Sequence, residues 1–425
     1  MILLGTLSFW LALLMACWTT LVSTVGVQTR RADLVDSGAR AMALAAVFLV
    51  LALLGTATAA WRSDPVVAVA TTLAWMEPPV VRVVRTIAYA REMWMLLLAT
   101  LVALTAWLAT RDDARIVRRR AAATRATAGA LLVLFLGAGA WQWSPYLSTP
   151  ASIVVDPTLD APSLDAAFVL HRWGVALGVA LVSVYLARVV AVRWQQAPFV
   201  GARASAARAW IASMMALACG WWWRYPQDGM VLLASREWSL RVAVVAWSIA
   251  TVALVVTSSG TRRRVGVVSL VRWMGGLCLL IGVVGQVLVK ESVVELPPTT
   301  PRTVRDAMGK SWRFTNQGAS FFARDNYQVL ALAIDLTRGG TRLGLVTTEQ
   351  RRYTSMGDGA EPPDRVVRGL RRGLLQDLFV AVSGSNGPGV AIVTARFVPG
   401  TSLLFAGAAL LVLGVAPLAG VVRES

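Results

Sequence analysis

The sequence predicts an all-α polytopic membrane bundle of about nine transmembrane helices, with a small β-rich extracytoplasmic domain before the last helix. Three observations carry this expectation. Apolar residues fill 56% of the 425 positions and mean hydropathy is +0.62, and several apolar runs could cross about 30 Å of hydrocarbon at about 1.5 Å per helical residue. Arginines gather in alternate short loops. One long segment, 291–399, instead shows the two-residue alternation of strands.

The expected spans lie near 2–26, 41–61, 92–110, 126–143, 173–192, 208–223, 239–258, 266–289 and 400–421. No basic residue precedes the first apolar run, which favours a retained helix over a cleaved signal peptide. The loops 27–40, 111–125, 188–208 and 261–264 hold sixteen arginines, among them Arg118, Arg119, Arg120 and the run Arg262 to Arg264. Basic residues are retained on the cytoplasmic side, so the amino terminus is expected outside and the carboxyl terminus inside. Within 62–91, Val80, Val83, Val84 and Ile87 recur at helical spacing, with Arg82, Arg85 and Arg91 falling elsewhere. That pattern predicts an amphipathic helix lying on the membrane. Residues 144–172 are richer in Pro, Asp and Ser, read as an outer loop, and end at His171, the only histidine in the chain.

In the segment 291–399, Leu330, Leu332, Ile334 and Leu336 alternate with smaller residues. Gly339 and Gly340 supply a tight turn, and Leu343, Leu345 and Thr347 resume the alternation. A second hairpin is expected from DLFVAVS, the turn GSNGPG and GVAIVTARFV. A small antiparallel sheet or barrel follows. The expected division is thus 1–290 for the membrane bundle, 291–399 for the β-rich domain, and 400–425 for the final helix and cytoplasmic tail.

A formal charge of +18 suggests nucleic acid, but such a reading needs the basic residues on one soluble face, and here most of them sit in short loops between apolar runs. No nucleic-acid partner is expected. Cys17, Cys219 and Cys278 fall inside apolar runs without CxxC spacing, which supports neither a disulfide framework nor a metal cluster. One histidine cannot make a hydrolase triad, and no GxxxxGK phosphate loop is present. Acidic residues are scarce in the spans, which disfavours an ion or proton transporter.

The stretch with most chemical content is Gly220 to Gly229, GWWWRYPQDG, where the sixth expected span gives way to an outer loop. An indole is apolar over its faces and polar at its N–H, so a tryptophan run ending a helix commonly marks the boundary of hydrocarbon and headgroups. The alternative is that Trp221, Trp222 and Trp223 present their faces to a planar ring. Likewise His171, at a helix start, is either a polar cap or a ligand.

Read together, these segments resemble the cytochrome c maturation haem lyase subunit CcmF and the wider CcmF/CcsA haem-handling family. Trp221, Trp222, Pro226 and Asp228 match its tryptophan-rich motif, while Arg224, Tyr225 and Gly229 depart from it. DAAFVLHRW places His171 where the family has a histidine after an outer loop. RSDPVVAVA, WMGGLCLLIGVVG, SWRFTNQG, DNYQVLALAIDL, EQRRY, LLQDLFVAV and RFVPGTSLLFAGAALLVLG follow in the family's order. Sequence and length both diverge: Ala246 and Leu280 stand at the two intramembrane histidine positions, the stretch for a second outer histidine is missing, and several helices of a full-length relative are expected to be absent.

The resemblance implies a component of cytochrome c biogenesis in a bacterial inner membrane, presenting haem on the outer face for covalent attachment to an apocytochrome c, as part of a haem lyase. Its implied partners are apocytochrome c, a haem chaperone, thiol-handling maturation subunits and other membrane subunits. His171 would ligate the haem iron, Trp221, Trp222 and Trp223 would face the porphyrin, and Arg172, Arg224 and Arg236 would meet its propionates. Any haem would be transient, with no resident bis-histidine b-type haem. Met214, Met215 and Met274 are poor substitutes, methionine being more often flexible packing. The competing expectation is a structural or docking subunit that keeps the fold without haem.

Overall fold

The computed structural model describes residues 2–62, 78–89, 91–116, 118–140, 166–196, 201–228, 238–258, 267–324, 327–353, 365–386 and 389–419. In chain order the helices are α1 (Ile2–Thr29), α2 (Ala32–Trp61), α3 (Pro79–Tyr89), α4 (Arg91–Ile116), α5 (Arg118–Ala140), α6 (Ala166–Gln195), α7 (Ala202–Asp228), α8 (Trp238–Ser258) and α9 (Val267–Val287), with α10 (Thr401–Ala419) closing the order after nine strands. Among the described residues, eight helices are long and apolar enough to cross a membrane: all of these except the short α3 and α7. α7 occupies the sixth expected span. Arg203, Arg208 and Arg224 near its ends, and its weakly hydropathic tryptophans, lower its mean hydropathy. Much of the expected loop 144–172 and the stretch 261–266 lie outside the described residues, as does the RSDPVVAVA block beyond Arg62.

The chain divides into two compact units: 1–220 with 237–264 and 415–425, and 221–236 with 265–414. In the first, close helix packing rests on small residues, as expected where lipid supplies no hydrophobic drive between helices. A β-carbon on Gly38 of α2 would collide with the Ser23 hydroxyl of α1, and one on Gly129 of α5 would sit 2.6 Å from the Thr20 hydroxyl. Arg125 of α5 donates to the Val35 carbonyl of α2 at 3.0 Å. The amphipathic helix expected within 62–91 forms as α3, and its Arg82 donates to the Trp61 carbonyl at 3.1 Å.

In the second unit α9 and α10 frame the β domain. Their crossing is lined by glycines from both helices: Gly275 and Gly282 on α9, Gly407 and Gly414 on α10. A β-carbon on Gly282 would lie 2.6 Å from the Leu404 backbone nitrogen.

The strands are β1 (Lys290–Leu296), β2 (Arg302–Arg305), β3 (Ser311–Arg324), β4 (Tyr327–Arg338), β5 (Thr341–Tyr353), β6 (Arg365–Val367), β7 (Gly369–Arg371), β8 (Gln376–Ser385) and β9 (Ala391–Pro399). They form two antiparallel sheets, ordered β1-β9-β8-β7 and β2-β3-β4-β5-β6. One apolar core joins them, including Leu296, Trp312, Phe314, Ile334, Leu378 and Phe397.

Both expected hairpins form, β4–β5 and β8–β9. Gly339 and Gly340 turn the first with φ of +56° and +85°, values that L side chains rarely adopt. The expected inward face of β5 is corrected. Leu345 is 58% exposed, whereas Val346 and Thr348 are buried. The cause is a bulge: Leu336 pairs with Gly344 but Thr337 with Arg342, leaving Leu343 unpaired. One extra residue shifts the register by one, and with a side-chain period of two every later residue changes face.

Candidate functional site

His171 sits in the second turn of α6 and is completely buried. Its surroundings follow from the α6–α7 packing. Gly174 and Gly178 of α6 lie against Ala216 and Ser213 of α7, where β-carbons would approach within 3.1 Å and 2.8 Å. Consecutive helices therefore pack side by side, as their short connection predicts. The ring reaches Gly220, where an added β-carbon would stand 2.5 Å from His171 Nδ1 and 2.5 Å from a Leu240 methyl. Only a glycine leaves room there.

The hydrogen bonds assign the tautomer. His171 Nδ1 is 2.8 Å from the Ala216 carbonyl, which can only accept, so Nδ1 carries the proton. In the neutral ring Nε2 then holds the lone pair and accepts from the Ser239 hydroxyl of α8 at 2.9 Å. One imidazole thus ties three helices together.

Around it lies an aromatic and cationic cluster that sequence reading found only in part. The Arg172 guanidinium lies over the Trp238 ring at 4.6 Å and the Phe168 ring at 5.2 Å. Trp94 Nε1 donates to the Arg172 carbonyl at 2.7 Å, and its ring meets Trp238 edge-on at 4.9 Å. Trp94, Trp238 and Ser239 were not singled out from sequence, and Gly220 stood out only as the edge of the tryptophan-rich stretch. Their one signal is position, since Trp94, Trp238 and Ser239 all lie in the first turns of their helices, α4 and α8.

The tryptophan-rich stretch is helical through Asp228, so the expected break near residue 223 is not found. Successive helical residues turn by about 100°, which separates three consecutive indoles. Trp221 and Trp223 are buried, and Trp222 is 49% exposed. They do not make one flat platform. Trp222 packs edge-on against Phe405 of α10 at 5.6 Å, and the Arg372 guanidinium covers its face at 3.9 Å. Arg224 lies over the Trp223 ring at 5.4 Å. Arg236 is outside the described residues.

Tyr225, one of the departures from the motif, is buried and central. Its hydroxyl donates to Asp377 Oδ2 at 2.9 Å and lies 2.7 Å from the Thr401 hydroxyl. Gln286 Nε2 donates to Thr401 at 3.3 Å. Since Tyr225 gives its proton to the carboxylate, Thr401 donates to Tyr225. The order is Gln286, Thr401, Tyr225, Asp377, joining α9, α10, the end of α7 and β8. Burial pushes the Asp377 carboxyl above its ordinary range, against bonds from the Gly373 N–H and Tyr225 that favour its charged form.

Among the described residues no group of three His, Cys, Asp or Glu side chains could hold a metal ion. For haem, the donor itself fits: a histidine whose Nδ1–H is held by a carbonyl keeps Nε2 available as a ligand atom. The packing around it is closed. Nε2 is engaged by Ser239 and the ring has no exposed surface. In the second unit Trp222, the exposed one of the three consecutive indoles, has its face covered by Arg372. Ala246 is buried and Leu280 is 59% exposed, and neither side chain has a donor atom.

No protein-family model matches the sequence, and no curated protein matches it. A solved structure does: cytochrome c haem lyase CcmF, at 15% sequence identity and a TM-score of 0.68, over 98% of this chain and 97% of that one. Coverage is nearly end to end on both sides, so against this relative the expected loss of several helices is not found, and the divergence lies in sequence. The chain is a multi-pass membrane protein that shares the fold of cytochrome c haem lyase CcmF.

Proposed function

We propose that this protein is a membrane component of cytochrome c biogenesis, acting on the outer face of a bacterial inner membrane to present haem for attachment to an apocytochrome c. The observation that carries the proposal is the end-to-end match to the CcmF fold, membrane bundle and β domain together. In this reading residues 1–290 are the haem-handling bundle, 291–399 the outer domain and 400–425 the final helix and tail. His171 would offer Nε2 to the iron when Ser239 and the first turn of α8 withdraw. Arg172 and Arg224, with Arg236, would meet the propionates, and Trp222 is the indole with free surface. Haem itself would supply the electrophilic vinyl groups to which cysteine thiols add. Its exchange would be transient, shared with a haem chaperone and thiol-handling partners.

A second reading is favoured by one specific observation, the closed packing of His171. The histidine would then be a helix tie, and the protein a docking subunit of the same machinery. Absorption spectra of the purified full chain, loaded with haem and reduced, separate the two. Haem presentation expects a spectrum that is lost in His171→Ala and strengthened in Ser239→Ala, where the competing hydroxyl is gone. No haem in any of the three samples, with co-purification of maturation partners intact, supports the docking reading. A tightly held low-spin haem that survives His171→Ala would overturn the ligand assignment.

A further inference from the structure

We propose that the turn between β7 and β8 is a membrane-seated tip, with Leu374 and Leu375 inserted at the boundary of headgroups and acyl chains and Arg372 on lipid phosphate. The partner is the bilayer that α10 enters. This goes beyond the haem reading and does not depend on it.

The depth of the turn is fixed by two hydrogen bonds. The Gly400 N–H donates to the Leu375 carbonyl at 2.9 Å, and the Ser402 hydroxyl donates to the Gly373 carbonyl at 2.9 Å. Gly400 and Ser402 flank Thr401, the first residue of a helix long and apolar enough to cross a membrane. The turn therefore lies within about one helical turn, roughly 5.4 Å, of the point where that helix begins.

Its composition suits lipid and not water. A turn in water is normally built from Gly, Asn, Asp or Ser, as in the Gly339–Gly340 turn of the same domain. Here Leu374 is 83% exposed and Leu375 is 54% exposed. Next to them, the Arg372 guanidinium lies over Trp222, whose edge meets Phe405, one turn further along α10. A half-exposed indole under a cation is the arrangement found at headgroup level, where the ring faces hydrocarbon and the charge reaches phosphate. α9 leaves at the same end of its crossing with α10, with Val287 80% exposed. A β-carbon on Gly285 there would strike the Pro399 carbonyl.

The test uses the unmodified chain in nanodiscs of phosphatidylcholine and phosphatidylglycerol, the lipids carrying a photoactivatable diazirine on the acyl chain. After irradiation, tryptic peptides are mapped by mass spectrometry. Adducts on Leu374 and Leu375 in the peptide 373–396 are the expected result. Labelling of the α9 and α10 peptides with none on 373–396 would overturn the proposal. A second measurement places a fluorophore at Leu374→Cys and, as the water-facing control, at Gly340→Cys, with Cys17, Cys219 and Cys278 replaced by alanine. The probe at 374 should shift to the blue and lose intensity to nitroxide-bearing acyl chains, while the probe at 340 loses intensity only to aqueous iodide. Equal iodide quenching at both sites would exclude insertion. Arg372→Gln should make the 374 signal insensitive to the phosphatidylglycerol fraction. Unchanged sensitivity would remove the phosphate contact.

Discussion

Asp306 shows how much of the β domain hangs on one side chain. It is buried, and its Oδ1 accepts from the backbone N–H groups of Met308 and Lys310 at 2.9 Å and 2.8 Å. Oδ2 accepts from Trp312 Nε1 at 3.0 Å, Gln376 Nε2 at 2.6 Å and Arg338 Nη2 at 3.3 Å. Burial alone would raise its pKa, but the bonds from Trp312, Lys310, Gln376 and Met308 together outweigh that and hold it below the ordinary carboxylate range. A depressed folded pKa stabilises the fold above the unfolded value, near about 3.9, and that stability is lost as pH falls through the folded value. Asp306→Asn should therefore cost about 2 kcal/mol at neutral pH, since an amide cannot accept as many bonds and its N–H₂ meets only donors. Urea unfolding of the full chain in detergent, followed by the fluorescence of a dye placed on the β domain, measures it. The gap between wild type and variant should close below about pH 4; a gap unchanged by acid would assign the effect to packing.

At the scale of elements, the ends of α7 and α9, the start of α10 and the strand β8 meet in the chain of hydroxyls that Tyr225 completes. Tyr225→Phe keeps the ring against Phe379, 5.0 Å away, and removes only the hydroxyl. Asp377 would then lose a donor and Thr401 an acceptor, for a cost of about 1–2 kcal/mol. Asp377 already has a raised pKa, so its folded state is favoured by protonation, and losing the Tyr225 bond raises that value further. The deficit of the variant should grow as pH rises through the acidic range, which the same unfolding series would show. Elements were legible where one local rule decided them. The Gly339–Gly340 hairpin needed only its two glycines, and the amphipathic α3 only its spacing. The inward face of β5 was not legible, because the Leu343 bulge is set by pairing with β4. Nor was the separation of the indoles: it followed from α7 continuing to Asp228, where sequence suggested a loop.

For the whole molecule, the candidate spans and the β domain follow from apolar runs and strand alternation, and at 15% identity the chain still shares the CcmF fold. The candidate site was less legible. His171 and the tryptophans stood out by type, but their environment comes from partners distant in sequence, Ala216 and Ser239 for one and Arg372 and Phe405 for the other. Sequence distance of that kind leaves no local trace. The arginine asymmetry predicts that residue 118 and the β4–β5 turn lie on opposite sides of the membrane. A cysteine at Gly340 should react with an impermeant maleimide in intact cells, and one at Arg118 only after permeabilisation. The reverse pattern would invert the proposed topology.

The glycine-lined crossing of α9 and α10 has a further meaning for how this chain could change. The helix that leads into the β domain and the helix that leads out of it touch where the domain begins and ends, so the domain is an insertion between two packed helices, tied besides to the end of α7 through Tyr225 and Asp377. Entry and exit points this close are what allow a domain to be exchanged, enlarged or removed without re-threading the rest of a protein. A lineage could remodel the domain to suit a new client while the glycines of the crossing, Gly275, Gly282, Gly407 and Gly414, stay under steric constraint. Innovation and conservation would then be separated by the plane of the membrane surface.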